Sequence, residues 1–534
     1  MKIIHKISLF IFLFVCVEAA FGAPEAEFGK LSKTYILNAD GSREYRYSME
    51  LTLYTHLAMR DLYGESFIFY DPAYQELKIH TSYTRQKDGT IIQTPENAFV
   101  EVLPRQAADA PAYNRLKEMV VVHTGLELGA TIFLDYSILT KPGYLPELDI
   151  CEPVEQWTPV KDYTISISVP EDKPLHYTLL NAKDKPTLSR INGLKQVTWK
   201  IRNLPASSSD PQVSALGGDV KLLAVSTYAS ITDALNVLNK QLTPKGEGSL
   251  LSLAGKITEG KTSDADKLQA ILLHVREYIG NSRLSPAETG FRIRSTGDVI
   301  ASAYGTEAEK VNLLAGLLNA AGIQAEVAAS FPKNIEINNC GLSAIRDLFV
   351  RAVAGGKTHL LTPNSATMSE AGRYVDYKQY LSLSNPGKEV AIEAPSTAID
   401  KQYTLTVSPE KANNGYITLS LPDSTAGMAH TSYSRYNSKR TTNLLLPYKA
   451  NEQYSYTLEL PEGMELATPK SAIIINNSVG KMVMSVKQNG NSVEVVRTLA
   501  LQKQLIAPSD YAAFRNLITE WTDVNNNQLL IKVK

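Results

Sequence analysis

The stretch Ser302 to Leu314, "SAYGTEAEKVNLL", sets a glycine and a short polar turn directly ahead of a run that continues as "AGLLNAAG" to Gly322. Apolar residues recur there at helical spacing, and Gly322 supplies the left-handed position that commonly closes a helix. The N-terminal end of such a helix carries partial positive charge, which favours acids and lowers the pKa of a thiol placed there. The residue at that point is Glu307, with Glu309 and Lys310 just behind it. The simplest account makes Glu307 and Glu309 first-turn acids favoured by the dipole, with Lys310 a solvated neighbour.

Helical spacing also marks the segments before this stretch. "ITDALNVLNKQL" (231–242), "LLSLAGKIT" (250–258) and "SDADKLQAILLHVREYI" (263–279) are amphipathic, and Ser263 with Asp264 and Asp266 forms an N-cap and an acidic first turn. After Gly322 come two strand-like runs, "QAEVAASF" (324–331) and "DLFVRAVAGGKTHLLTP" (347–363). Helices followed by strands predict an α+β domain over 227–390. "GGKTH" lacks the upstream glycine of a phosphate loop and reads as a hairpin turn.

Both flanks read as β. Upstream, "REYRYSMELTLYTHLAMR", "YTISISVP" and "QVTWKIRNLP" alternate, while "KDGT" and "INGLK" supply turns, predicting a β-sandwich over 24–226. The tract "FIFYDPAYQEL" could offer stacking platforms to a peptide or glycan, although tyrosine is also a favoured strand residue. Downstream, five strand-like runs and one helix, "DYAAFRNLITEWTDV", predict a second β-sandwich or β-rich domain over 391–534.

The chain has 534 residues, enough for several cores, and 54 basic residues balance 55 acidic ones. That balance removes the electrostatic reason to expect nucleic acid as a partner. Residues 1–23 have Lys2 and Lys6, an apolar run and then small residues, the layout of a cleaved secretory signal, so the mature chain is expected in the periplasm or outside the cell, with association to the outer membrane as a further option. No transmembrane segment is expected after signal removal. Cys16 lies within the leader, where Phe14 and Val15 argue against lipidation. Cys151 and Cys340 remain, read as two independent small buried residues, with a Cys151–Cys340 disulfide left open. The eight histidines are scattered with no metal-ligand spacing, so no metal or other cofactor is expected.

With these elements in place, the middle region resembles the transglutaminase-like superfamily, which has a papain-like fold. The resemblance rests on the lead helix "LQAILLHVREYI", the approach R-x-x-x-D-V from Arg294, the turn G-x-x-x-x-K from Gly305 to Lys310, the helix "LLAGLLNAAGI" and the strand pair ending near Pro363. The flanks look like the uncharacterised β domains that bracket such modules in secreted proteins of Gram-negative bacteria.

The resemblance implies a Cys-His-Asp triad in which a thiolate attacks an acyl carbon, a histidine moves the proton and an aspartate orients the histidine. Residue by residue, the cysteine position falls on Glu307, the histidine position on Asp347 and the aspartate position on Thr362. All three differ, which implies a pseudoenzyme that binds or scaffolds a protein, peptide or glycan. Two alternatives stay open. An active cysteine peptidase or amidase would use other residues, Cys340 and His359 being the nearest thiol and imidazole; His274, inside the lead helix, reads as a packed helix histidine. A carboxylate-based glycan hydrolase would use Glu307 and Asp347 in one cleft, a pair that could also hold a cation.

Overall fold

The computed structural model of the protein describes residues 24–242, 248–364, 372–392, 398–408, 413–469 and 471–533. The expected leader, with Cys16, lies outside the described residues. Among these residues no helix is long and apolar enough to cross a membrane.

The N-terminal region is built on an eight-stranded sheet. Strand Ala26–Leu37 pairs antiparallel with Arg43–Leu53 and parallel with Val160–Pro170. Alternation drives the burial: Tyr163, Ile165 and Ile167 face inward with Val197, Trp199 and Ile201 of strand Leu194–Leu204. Asn192 and Gly193, at φ 53° and 78°, form the tight turn expected of "INGLK". The run "REYRYSMELTLYTHLAMR" is strand only to Leu53, because its second half turns into a short helix, Ala58–Leu62, that buries Ala58. In "FIFYDPAYQEL", Tyr70 is buried and donates to Glu101, and Arg292 lies 3.9 Å over the Tyr74 ring, so both tyrosines are engaged within the protein. Two three-stranded sheets complete the region, one containing Asp149–Pro153.

The middle region holds helices α1 (Ile231–Asn239), α2 (Gly248–Ile257), α3 (Asp264–Tyr278), α4 (Thr296–Ser302) and α5 (Glu307–Ala320). Behind them lies an antiparallel sheet in the order Lys357–Leu361, Asp347–Ala354, Gln324–Pro332, Lys378–Ser382. Helix α5 was expected to be amphipathic. It is instead buried on nearly every face, because α2, α3 and α4 cover it on one side and the sheet on the other; Val311, Leu313, Leu314, Leu317 and Leu318 are wholly inaccessible. Gly355 and Gly356, both at positive φ, make the hairpin read from "GGKTH". The strand Lys378–Ser382 had no counterpart in the sequence reading.

The C-terminal region pairs a five-stranded sheet with a three-stranded one. Helix α6 (Tyr511–Thr522), at the place of the expected helix, buries Phe514, Leu517, Ile518 and Trp521 in this core.

Candidate functional site

Helix α5 begins at Glu307 with Thr306 as its N-cap. The Glu309 amide donates to the Thr306 hydroxyl, and the Thr306 amide donates to the Glu309 carboxylate at 2.8 Å, closing a capping box. Glu309 is fully buried, and Arg294 grips its carboxylate with Nε at 2.9 Å and Nη2 at 3.0 Å. Tyr113 of the N-terminal region donates its hydroxyl to the same carboxylate. The guanidinium is held between the rings of Tyr113 and Tyr304, 5.6 and 4.6 Å from their centroids.

Lys310 is also fully buried, contrary to the solvated neighbour expected. Its Nζ donates to the Ile279 carbonyl at 2.7 Å and to Asn281 Oδ1 at 2.5 Å, and burial pushes its pKa down to about 8. Gly305 allows this close packing: a Cβ there would stand 3.2 Å from the Glu309 Cβ and 3.3 Å from the Lys310 Cγ. The R-x-x-x-D-V and G-x-x-x-x-K patterns are therefore parts of one buried anchor, in which Arg294, Glu309 and Lys310 fix the helix start. Glu307 is partly exposed at the first position of the helix.

Asp347 opens the strand Asp347–Ala354. Its carboxylate accepts from Ser330 Oγ and from Lys378 Nζ, the latter at 2.7 Å. Thr362 follows the strand Lys357–Leu361 and is buried, its hydroxyl without a hydrogen-bond partner among the described residues. Cys340 is buried after a short turn, its Sγ 3.6 Å from the Glu336 carbonyl, and burial pushes its thiol up to about 12. His359 has a ring nitrogen 3.4 Å from the Ala354 carbonyl. Cys340 and His359 thus each engage a local carbonyl, and no hydrogen bond joins them. Both Cys151 and Cys340 are free thiols; Cys151 is only partly buried, with Arg346 Nη2 3.7 Å from its Sγ. His274 is partly buried and stacks on the Tyr278 ring at 5.0 Å.

A cleft of about 890 Å³ opens where the three regions meet. It is lined by 212–216, by Arg346, Asp347, Arg373, Tyr374 and Lys378, and by C-terminal residues including Ile399, His430, Tyr433 and Tyr448. Of the five positions singled out from sequence, Asp347 lines this cleft; Glu307, Thr362, Cys340 and His359 are not among its lining residues. Among the described residues no group of three or more His, Cys, Asp and Glu side chains is placed to hold a metal ion.

Three family models match in succession: a domain of unknown function, DUF3857, over residues 39–208, the transglutaminase-like superfamily over 251–359, and a second domain of unknown function, DUF3858, over 416–531. A solved structure, a "putative protease" from Parabacteroides distasonis ATCC 8503, is 44% identical, with 95% of this chain and 99% of that chain covered and a TM-score of 0.86. The chain belongs to the transglutaminase-like superfamily. A second structure, a "putative cysteine protease" from Cytophaga hutchinsonii, matches at 15% identity over 41% of this chain and 74% of that one, with a TM-score of 0.19. No curated protein matches. Within this transglutaminase-like chain, the arrangement the residues make is a rigid helix start and a closed ion pair. Sequence reasoning did not find Tyr113 or Lys378, because neither belongs to a local motif.

Proposed function

We propose that this transglutaminase-like protein is a pseudoenzyme of the periplasm or cell exterior that works by binding or scaffolding a peptide or glycan. The observation that carries this reading is the pairing of Asp347, at the family's histidine position, with Lys378. A carboxylate held by an ammonium cannot take and return a proton as an imidazole does near neutral pH. Glu307 at the cysteine position and the buried hydroxyl of Thr362 at the aspartate position support the same reading. The pairing also argues against a carboxylate-based glycan hydrolase, since Asp347 is committed to Lys378 and Ser330.

A second reading, an active cysteine peptidase or amidase, is favoured by the likeness to the Parabacteroides protein described as a protease. The deciding experiment treats the folded chain from residue 24 with a cysteine-directed peptidase probe and follows peptide turnover by mass spectrometry. No labelling and no turnover are expected; stoichiometric labelling that abolishes a measured turnover would establish the peptidase instead. Cell fractionation with N-terminal sequencing tests the location, a start near residue 24 outside the cytoplasm being the expected result.

A further inference from the structure

The three-region cleft has a chemical bias. Among the described residues its acidic and basic lining side chains are Arg346, Arg373, Lys378 and His430, with Asp347 as the acid. Lys378 and Asp347 cancel each other at 2.7 Å. Arg346 is exposed, and its guanidinium contacts the Cys151 Sγ at 3.7 Å; among the described residues no carboxylate forms an ion pair with it. Burial pushes that thiol up to about 11, so it stays neutral and brings no negative charge to the arginine. A second feature borders the same cleft. Ala398 and Ile399 line it, and they begin strand Ala398–Leu405, the edge of the five-stranded sheet. On one side this strand pairs in parallel with Asn451–Glu459; among the described residues no strand pairs with its other side. An open edge offers a row of backbone donors and acceptors that an extended polypeptide matches and a sugar chain does not.

We propose that this cleft docks an extended acidic peptide segment, which adds to the open edge of strand Ala398–Leu405 and sets a carboxylate against Arg346. The inference deepens the binding role proposed above and rests on it. The edge supplies affinity without regard to side chains, and the arginine selects acidity, so a basic peptide of the same length is rejected by its charge.

The test uses the chain from residue 24 and a fluorescent peptide of alternating threonine and glutamate, with a threonine–lysine peptide and an acidic oligosaccharide as comparisons. The acidic peptide binds, the basic one does not, and added salt weakens binding. Arg346→Glu lowers affinity at least about tenfold, Arg346→Lys by no more than about threefold, and Lys487→Glu, in the strand Gly480–Asn489, leaves it unchanged. Arg346 is exposed, so an unchanged melting profile of Arg346→Glu verifies that the loss is local. Equal binding of both peptides, an indifferent Arg346→Glu, or binding of the oligosaccharide alone overturns the proposal. Absence of both binding and cleavage sinks the docking inference and leaves the pseudoenzyme reading standing. Cleavage of a bound acidic peptide sinks the pseudoenzyme reading and leaves the docking site.

Discussion

The Nζ of Lys378 lies 2.7 Å from the Oδ2 of Asp347, and the two side chains are 4% and 13% exposed. A pair this dry contributes little net stability, yet removing one partner strands the other charge. Asp347→Ala is therefore expected to cost about 3 kcal/mol, and adding Lys378→Met is expected to recover part of that loss. Urea denaturation of the two single variants and the double variant measures the coupling. Strict additivity would mean that the pair is not the unit described.

The contact between Arg294 and Glu309 sets the entry of helix α5. The Glu309 carboxylate takes two guanidinium bonds, the Thr306 amide and the Tyr113 hydroxyl, and is itself fully buried. Arg294→Ala leaves a buried unpaired carboxylate and should cost about 3–5 kcal/mol, against about 1–2 kcal/mol for Tyr113→Phe. Tyr113 lies 196 residues from Glu309 and joins the N-terminal region to the middle one. Calorimetry of Tyr113→Phe should accordingly lower the transition of both regions together; a shift confined to one would separate them.

Lys310 gives a pH signature. Its folded pKa is pushed from 10.5 down to about 8 by burial. Below about pH 8 both folded and unfolded chains carry the proton, and stability does not respond to this group. Between about 8 and 10.5 the unfolded chain holds the proton and the folded chain does not, so this group's contribution to stability rises with pH. The denaturation free energy of the wild type minus that of Lys310→Met should therefore climb across this window, by about 3 kcal/mol. A flat difference would show that the two hydrogen bonds to Ile279 and Asn281 keep the ammonium charged.

What was legible in the sequence is what the chain encodes locally. Helix α5 announced its end through Gly322 at φ 84°, α3 its start through Ser263, and two hairpins their turns through Asn192-Gly193 and Gly355-Gly356. The order of helices and then strands in the middle region followed from periodicity alone. What failed was the exposure of charged residues. Glu309 and Lys310 have the composition of a solvated first turn, and only partners far along the chain, Tyr113 for one and Ile279 for the other, make them core. Lys378 was invisible for a related reason. Its strand is only five residues long, and the cation is brought to Asp347 by tertiary pairing with Gln324–Pro332 rather than by a local motif.

The two thiols offer the last prediction, and it bears directly on whether cysteine chemistry survives. Burial raises Cys151 to about 11 and Cys340 to about 12, and the charge of Arg346 offsets this only in part. At pH 8 the thiolate fraction of Cys151 is then about a hundredfold below that of an ordinary cysteine, and that of Cys340 lower again. Iodoacetamide applied to the folded chain from residue 24 should modify Cys151 slowly, with a rate rising about tenfold per pH unit, because only the thiolate attacks. Cys340, 1% exposed, should stay unmodified until urea unfolds the protein, whereupon both react at the rate of free cysteine. Peptide mapping distinguishes the two sites, and rapid labelling of native Cys340 at neutral pH would restore the peptidase reading.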